Sequence, residues 1–315
     1  MSKPVILQAG PYPDWDQIPL DDAFDVKRLF DAADVAAVIA EFGPVARAIA
    51  TRGELGADAD LINACPNLEI ISVYGVGYDA VDVALCKQKG IHVTNTPDVL
   101  TGDVADLGVA MMLCQSRGMI GAEAWVRNGS CAAQGLYDLK RRVFGRKAGI
   151  LGLGRIGYEV GKRLAGFDMD VAYTDIAAKD YAPDWTYLPD PKALAEHADF
   201  LFVTLAASAE TRHIVNKEII EAVGPDGMII NISRAPNIDE NALIHALSSG
   251  ALGSAALDVF EGEPELDPRF LDLPNVLLQP HHASGTIETR QAMGQLMRDN
   301  LAAHFAGKPL LTPVV

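Results

Sequence analysis

Cysteine is scarce in this chain: Cys65, Cys86, Cys114 and Cys131 are the only four among 315 residues. None forms a C-x-x-C pair and none stands beside a histidine at metal-ligand spacing. That sets aside a disulfide scaffold, a redox dithiol and a zinc site, and leaves the reduced thiols of a cytoplasmic protein. Long apolar runs are missing too. The longest, residues 107–114, is far too short to span a bilayer. The N-terminal MSKPVILQAG carries one Lys and only a few apolar residues before Gly10 and Pro11, unlike a signal peptide. Positive charge is in deficit, with 26 Lys and Arg against 42 Asp and Glu for a net charge of −16. That balance argues against nucleic acid and anionic membranes as partners, and an anionic substrate would need local positive charge to overcome it. No repeat and no low-complexity segment interrupts the chain. The expectation is a soluble cytoplasmic protein with no metal.

What is present is alternation. At 315 residues, 49% of them hydrophobic, the chain is long enough for two domains of ordinary size. In the first third, strands are expected at 5–7, 35–39, 47–51, 70–73 and 91–94. Helices are expected at 25–30, 57–64 and 80–89. Alternating strand and helix implies a parallel sheet with helices on its faces. Thr96-Pro97 is the expected crossing point, followed by a long apolar helix over 104–116. Further strands are expected at 169–173, 200–204, 228–232, 254–258 and 276–278, with helices around 192–197, 217–223 and 240–248. The segment 287–305 reads as one long helix with no strand after it, so the chain is expected to return to the first domain. The resulting division is residues 1–97 with 286–315 as one domain and 98–285 as the other.

The centre of the second half is AGILGLGRIGYEVGKRLAGFDMDVAYTD, residues 148–175. An apolar strand leads into Gly152, Gly154 and Gly157, which fit G-x-G-x-x-G, and a helical pattern with Val160, Leu164 and Phe167 follows. Gly152 permits the tight turn, Gly154 lets backbone approach a pyrophosphate, and Gly157 lets helix and strand pack closely. The phosphates would face the N–H groups of the helix N-terminus. Asp175 lies 18 residues past Gly157 and closes the next strand, as expected of a carboxylate that accepts hydrogen bonds from the adenosine ribose. Such an acid repels a 2′-phosphate, and the residues after it are Ile176, Ala177 and Ala178, with Lys179 the first cation. NAD is therefore the expected cofactor.

Three further residues follow later strands of the same half: Arg234 in INISRAPNIDENAL, Glu263 in ALDVFEGEP and His281 in QPHHASGT. All three leave the carboxyl edge of a parallel sheet, where the reactive end of a dinucleotide would sit. An Arg can clamp a carboxylate and polarise a carbonyl. A His can deliver a proton to a forming alkoxide, and a Glu bonded to it would stabilise the imidazolium. Hydride transfer to a 2-keto acid needs all of these functions. His282 stands beside His281 as a competitor for the same role.

Taken in order, YGVGYDAVDV, NTPDVLTGDVADL, GILGLGRIG, INISRAPNIDENAL, ALDVFEGEP and PHHASGT make the chain resemble the D-isomer-specific 2-hydroxyacid dehydrogenases over nearly its whole length. Within that family it looks closest to the glyoxylate/hydroxypyruvate reductases and the related 2-ketogluconate and hydroxyphenylpyruvate reductases. The resemblance implies an α/β fold of two doubly wound domains: a Rossmann NAD-binding domain and a flavodoxin-like substrate-binding domain. It implies that Arg234 binds the carboxylate and carbonyl of the substrate, that His281 is the general acid/base and that Glu263 supports it. It places Val76 and Gly77 as backbone donors to the substrate carboxylate, and Arg155 and Ile156 at the pyrophosphate. Leu205, Ile232 and Asp258 would line the nicotinamide, and Tyr74 and Leu100 would touch the substrate side chain. It also implies a homodimer built on the cofactor domain. Many of the most similar reductases carry Arg after the second cofactor strand and use NADPH, whereas this chain has Thr174-Asp175-Ile176, so NADPH is not carried over. The competing class of function is a non-enzymatic binding protein that senses NAD.

Overall fold

The structure is a computed structural model that describes residues 3–315. The chain divides into two compact units, Met1–Leu100 with Ser284–Val315 and Thr101–Ala283.

The first unit runs β1 (Val5–Gln8), α1 (Asp14–Ala23), β2 (Asp25–Arg28), α2 (Val35–Phe42), β3 (Ala48–Arg52), α3 (Ala59–Ala64), β4 (Ile70–Tyr74), α4 (Val83–Lys89) and β5 (His92–Thr94). Its five strands are parallel, in the order β2-β1-β3-β4-β5. Ile6, Leu7, Ile49, Ile71 and Val73 are buried in the sheet. The last helix of the chain, α12 (Ile287–Phe305), packs on β4 within this unit, where Ser72 Oγ donates to the Met297 carbonyl at 3.2 Å.

Two expected elements exchange type. Residues 25–30 were expected to be helical, yet Asp25–Arg28 is a strand pairing with β1 from Val5↔Asp25 to Gln8↔Arg28. It is an edge strand, so Lys27 and Arg28 keep contact with water, and pairing with β1 outweighs a weak helical pattern. Residues 35–39 were expected to be a strand because Val and Ile are β-branched, yet they open α2. Asp34 caps that helix, accepting from the Ala37 N–H at 3.0 Å, and Val35, Val38, Ile39 and Phe42 recur at helical spacing. Val38, Ile39 and Phe42 pack on the core of the unit.

The second unit contains α5 (Thr101–Arg117), α6 (Met119–Arg127), α7 (Ser130–Gln134), β6 (Lys147–Leu151), α8 (Arg155–Ala165), β7 (Asp170–Thr174), β8 (Thr186–Tyr187), α9 (Pro191–His197), β9 (Phe200–Val203), α10 (Lys217–Val223), β10 (Met228–Asn231), α11 (Glu240–Ser249), β11 (Ser254–Leu257) and β12 (Val276–Leu278). Its seven parallel strands lie in the order β12-β11-β10-β9-β6-β7-β8. The order reverses between β6 and β9, the kind of point at which open α/β sheets bind ligands. Both halves of the fold expectation hold: two doubly wound parallel sheets with interleaved helices.

The register positions the site. Leu151, Val203, Asn231, Leu257 and Leu278 lie side by side across β6, β9, β10, β11 and β12, and Leu151 also faces Thr174. The residues that follow them therefore leave one sheet edge together. Part of the acidic surplus serves as helix caps. Asp34, Asp58, Asp82, Asp190 and Asp239 each accept a backbone N–H at the start of a helix, as the neutral Asn216 also does. Helix α8 has no such side chain, because its N-cap is Gly154.

Candidate active site

The glycine turn connects β6 to α8. Gly152 sits at φ +98°, a conformation that an L side chain rarely adopts, and its N–H donates to the Thr174 carbonyl at 2.8 Å. A Cβ on Gly157 would lie 2.2 Å from the Gly152 carbonyl oxygen, so helix and turn approach as closely as the sequence requires. Gly154 differs, since a Cβ there would meet nothing within 4 Å. The uncapped start of α8, with Arg155 and Ile156 in its first turn, thus faces open space across a residue without a side chain. A helix N-terminus of this kind suits a pyrophosphate, and the residues present fit a dinucleotide.

Asp175 leaves β7 beside the turn. Its Oδ2 accepts the Leu153 N–H at 2.8 Å, which ties the acid to the glycine loop. Its Oδ1 accepts the Ile176 N–H at 2.7 Å and pairs with Lys179 Nζ at 2.9 Å. The segment after Asp175 is itself fixed: the Lys179 N–H donates to the Tyr173 hydroxyl at 2.7 Å, and the Tyr181 hydroxyl donates to the Leu153 carbonyl at 2.5 Å. Sequence spacing located Asp175 but gave Lys179 no role, because the segment between them is not helical and i, i+4 carries no signal there.

Beyond β10, Asn231 organises the chain around Arg234. Its Oδ1 accepts the Ser233 N–H at 3.0 Å, and its Nδ2 donates to the Arg234 carbonyl at 3.2 Å. Asn237 Nδ2 bonds both Ser233 Oγ and the Leu205 carbonyl at 3.0 Å, which joins this turn to the segment after β9. Arg234 Nη1 donates to the Ser233 carbonyl at 2.8 Å. Ile232 is buried at the base of this turn, and Leu205 lies against Gly152.

His281 and Glu263 meet. The Nδ1 of His281 lies 2.6 Å from Glu263 Oε2, while Glu263 Oε1 accepts the Phe260 N–H at 2.8 Å. A carboxylate on Nδ1 fixes the ring and the tautomer, leaving Nε2 to exchange a proton. Burial acts to raise the Glu263 pKa, but the bonds from His281 and Phe260 and the charges of His281 and Arg234 outweigh it and hold the carboxyl below its ordinary value. The histidine has φ +50°, uncommon for a residue with a side chain. Asp258 holds that conformation. It is 1% exposed, and its two oxygens accept the N–H groups of His282 and Ala283 at 2.9 and 3.0 Å. Burial raises the Asp258 pKa against those two bonds. Of the adjacent histidines, His281 carries the carboxylate contact, and His282 gives its backbone to Asp258.

Glu240, the first residue of α11, was missed. Its Oε1 accepts the Glu261 N–H at 2.6 Å, pinning the loop that carries Glu263. Burial raises its pKa, helped by the nearby carboxylates of Glu261, Asp267 and Glu263 and opposed by the Glu261 N–H. The sequence showed it as one acid of DENAL, next to the cap Asp239.

In the first unit, Val76 and Gly77 form the turn after β4. Asn95 Nδ2 donates to the Val76 carbonyl at 2.8 Å and the Thr96 N–H donates to the Gly75 carbonyl at 2.8 Å, so the turn is held through its carbonyls. Among the described residues, the N–H groups of Val76 and Gly77 take no part in the backbone bonding of the turn. Tyr74 and Leu100 are only 5% and 6% exposed, and the Tyr74 hydroxyl donates to the Arg290 carbonyl at 2.7 Å. The Tyr74 ring stacks on Tyr12 at 5.1 Å.

Comparison with known proteins agrees with this geometry. Residues 109–283 match the model of the D-isomer specific 2-hydroxyacid dehydrogenase NAD binding domain. A solved 2-hydroxyacid dehydrogenase from Ketogulonicigenium vulgare Y25 is 75% identical, with a TM-score of 0.94 over 100% of this chain and 99% of that one. A hydroxyphenylpyruvate reductase of Plectranthus scutellarioides is 47% identical over 269 residues, 85% of each protein. An NADPH-dependent glyoxylate/hydroxypyruvate reductase of Sinorhizobium meliloti, solved in complex with NADP and malonate, is 40% identical, with a TM-score of 0.94 over 100% of this chain and 97% of that one. The chain belongs to the D-isomer-specific 2-hydroxyacid dehydrogenases, a family of NAD(P)-dependent oxidoreductases.

Proposed function

We propose that the chain reduces a small 2-keto acid of the glyoxylate/hydroxypyruvate class to the D-2-hydroxy acid, with NADH as the preferred donor. The observation that carries this reading is the His281–Glu263 contact of 2.6 Å, on the sheet edge that also bears Arg234 and the glycine turn. The likeness to a glyoxylate/hydroxypyruvate reductase supports the substrate class.

Gly152, Gly154, Arg155, Ile156 and Gly157 would hold the pyrophosphate and Asp175 the adenosine ribose, with Leu205, Ile232 and Asp258 along the nicotinamide. When bound, the cofactor supplies the hydride to C2 of the substrate. Arg234 binds the substrate carboxylate and polarises the carbonyl, giving an acidic protein the local positive charge that an anionic substrate needs. In the first unit, the backbone N–H groups of Val76 and Gly77 are of the kind that suits a carboxylate. His281 delivers a proton from Nε2 to the carbonyl oxygen, and Glu263 stabilises the imidazolium beforehand.

The assembly belonging to this reading is a homodimer built on the second unit. It is supported by the segment around α6 and α7, where Ile120, Val126, Leu136 and Leu139 are 65% to 99% exposed. The cytoplasm is the matching compartment, supported by four unpaired cysteines of which Cys65 and Cys86 are buried.

Substitution of Arg234 tests the reading. Arg234→Ala should raise KM sharply and lower kcat, and Arg234→Lys should recover only part of the loss because an ammonium cannot make the bidentate contact. Near-normal kinetics in Arg234→Ala would remove Arg234 from the reaction.

A further inference from the structure

We propose that Lys179 sets the cofactor preference: by neutralising Asp175 it keeps the site open to NADPH as well as NADH. This rests on the reading that Asp175 faces the adenosine ribose.

Asp175 alone would exclude a 2′-phosphate by charge repulsion. Here its Oδ1 already accepts the Ile176 N–H and the Lys179 ammonium, at 2.7 and 2.9 Å, and its Oδ2 accepts the Leu153 N–H at 2.8 Å. A ribose diol brings two O–H donors to a carboxylate whose acceptor positions are largely taken, so Lys179 competes with NADH. For a 2′-phosphate the sign reverses. The ammonium offers N–H donors to the phosphate oxygens and offsets the carboxylate charge.

The lysine is built into this place. Its backbone N–H is bonded to the hydroxyl of Tyr173, a fully buried residue of β7, so its Cα is anchored to the strand that ends at Asp175. Tyr181, two residues further on, bonds the Leu153 carbonyl and packs edge-on against Tyr158 of α8 at 5.1 Å. Both ends of the segment are therefore tied to the glycine turn or its flanking elements. The contact with Asp175 also holds the Lys179 pKa above its ordinary value, so the group is a cation at neutral pH.

The test is direct binding, with dissociation constants for NADH and NADPH measured by calorimetry on wild type, Lys179→Met and Asp175→Asn. Lys179→Met should weaken NADPH by about tenfold and tighten NADH by no more than about threefold, since it removes a charge-assisted contact to the phosphate and frees an acceptor position on Asp175. The salt dependence of NADPH binding should flatten in the same variant. Asp175→Asn should shift the preference toward NADPH. If Asp175→Asn shifts the ratio and Lys179→Met leaves it within twofold of wild type, the Lys179 proposal is overturned and the ribose reading stands. If neither variant moves the ratio, Asp175 does not face the ribose and both fall.

Discussion

Replacing Glu263 with Gln probes the proton-transfer pair most sharply. The carboxylate serves two donors at once, His281 Nδ1 at 2.6 Å and the Phe260 N–H at 2.8 Å. A Gln amide has a single acceptor oxygen, so one of these donors must face an NH₂ group, and the negative charge is lost in either orientation. A hydrogen bond to a charged group contributes about 1.5–3 kcal/mol. At 1.36 kcal/mol per decade, kcat should fall about 10- to 150-fold. KM should change little, because substrate capture is assigned to Arg234, Val76 and Gly77. The assay is steady-state reduction of glyoxylate and hydroxypyruvate at saturating NADH across pH, with thermal melts as a control for folding. A kcat within twofold of wild type would refute the assignment of His281 and Glu263 as a working pair.

Other outcomes follow from the same geometry. Gly154→Ala should fold and melt as wild type does, because a Cβ there meets nothing within 4 Å, yet it should lose dinucleotide affinity in a calorimetric titration. Gly157→Ala should cost about 1–3 kcal/mol in denaturant unfolding, because its Cβ would lie 2.2 Å from the Gly152 carbonyl oxygen. Asp258→Asn should lower kcat with the fold retained, as it withdraws one of two acceptors from the turn that holds His281 at positive φ, and a change confined to cofactor affinity would count against that role. Glu240 has a pKa raised by burial, so the folded state binds its proton more tightly than the unfolded chain does. Its contribution is greatest below the ordinary Glu value and is lost as pH rises through the folded value. Glu240→Gln should therefore melt no lower than wild type at alkaline pH and show a flatter dependence of Tm on pH.

More of the candidate site than of the elements around it was legible in the sequence. The glycine turn, Asp175, Arg234, Glu263 and His281 were legible because each follows a short apolar strand, and parallel strands in register deliver their carboxyl ends to one edge. The first unit was harder. Strand β2 is an edge strand with Lys27 and Arg28 in it, and only pairing with β1 reveals it. Helix α2 was hidden by β-branched residues although Asp34 signalled its start. The supporting contacts were not legible at all. Lys179 on Asp175, Asp258 on the His282 and Ala283 amides, and Glu240 on the Glu261 amide link residues that local pattern does not relate. Asp258 was placed beside the nicotinamide by resemblance, but its hold on the histidine turn needs coordinates to be seen.

The most direct measurement is NADH-dependent reduction of glyoxylate and hydroxypyruvate by wild type and His281→Ala, with chiral analysis of the hydroxy acid formed from hydroxypyruvate. The account predicts turnover by wild type, a product of D configuration, and a collapse of kcat in His281→Ala with His282 intact. No turnover of either acid, a product of L configuration, or an unimpaired His281→Ala enzyme would contradict it.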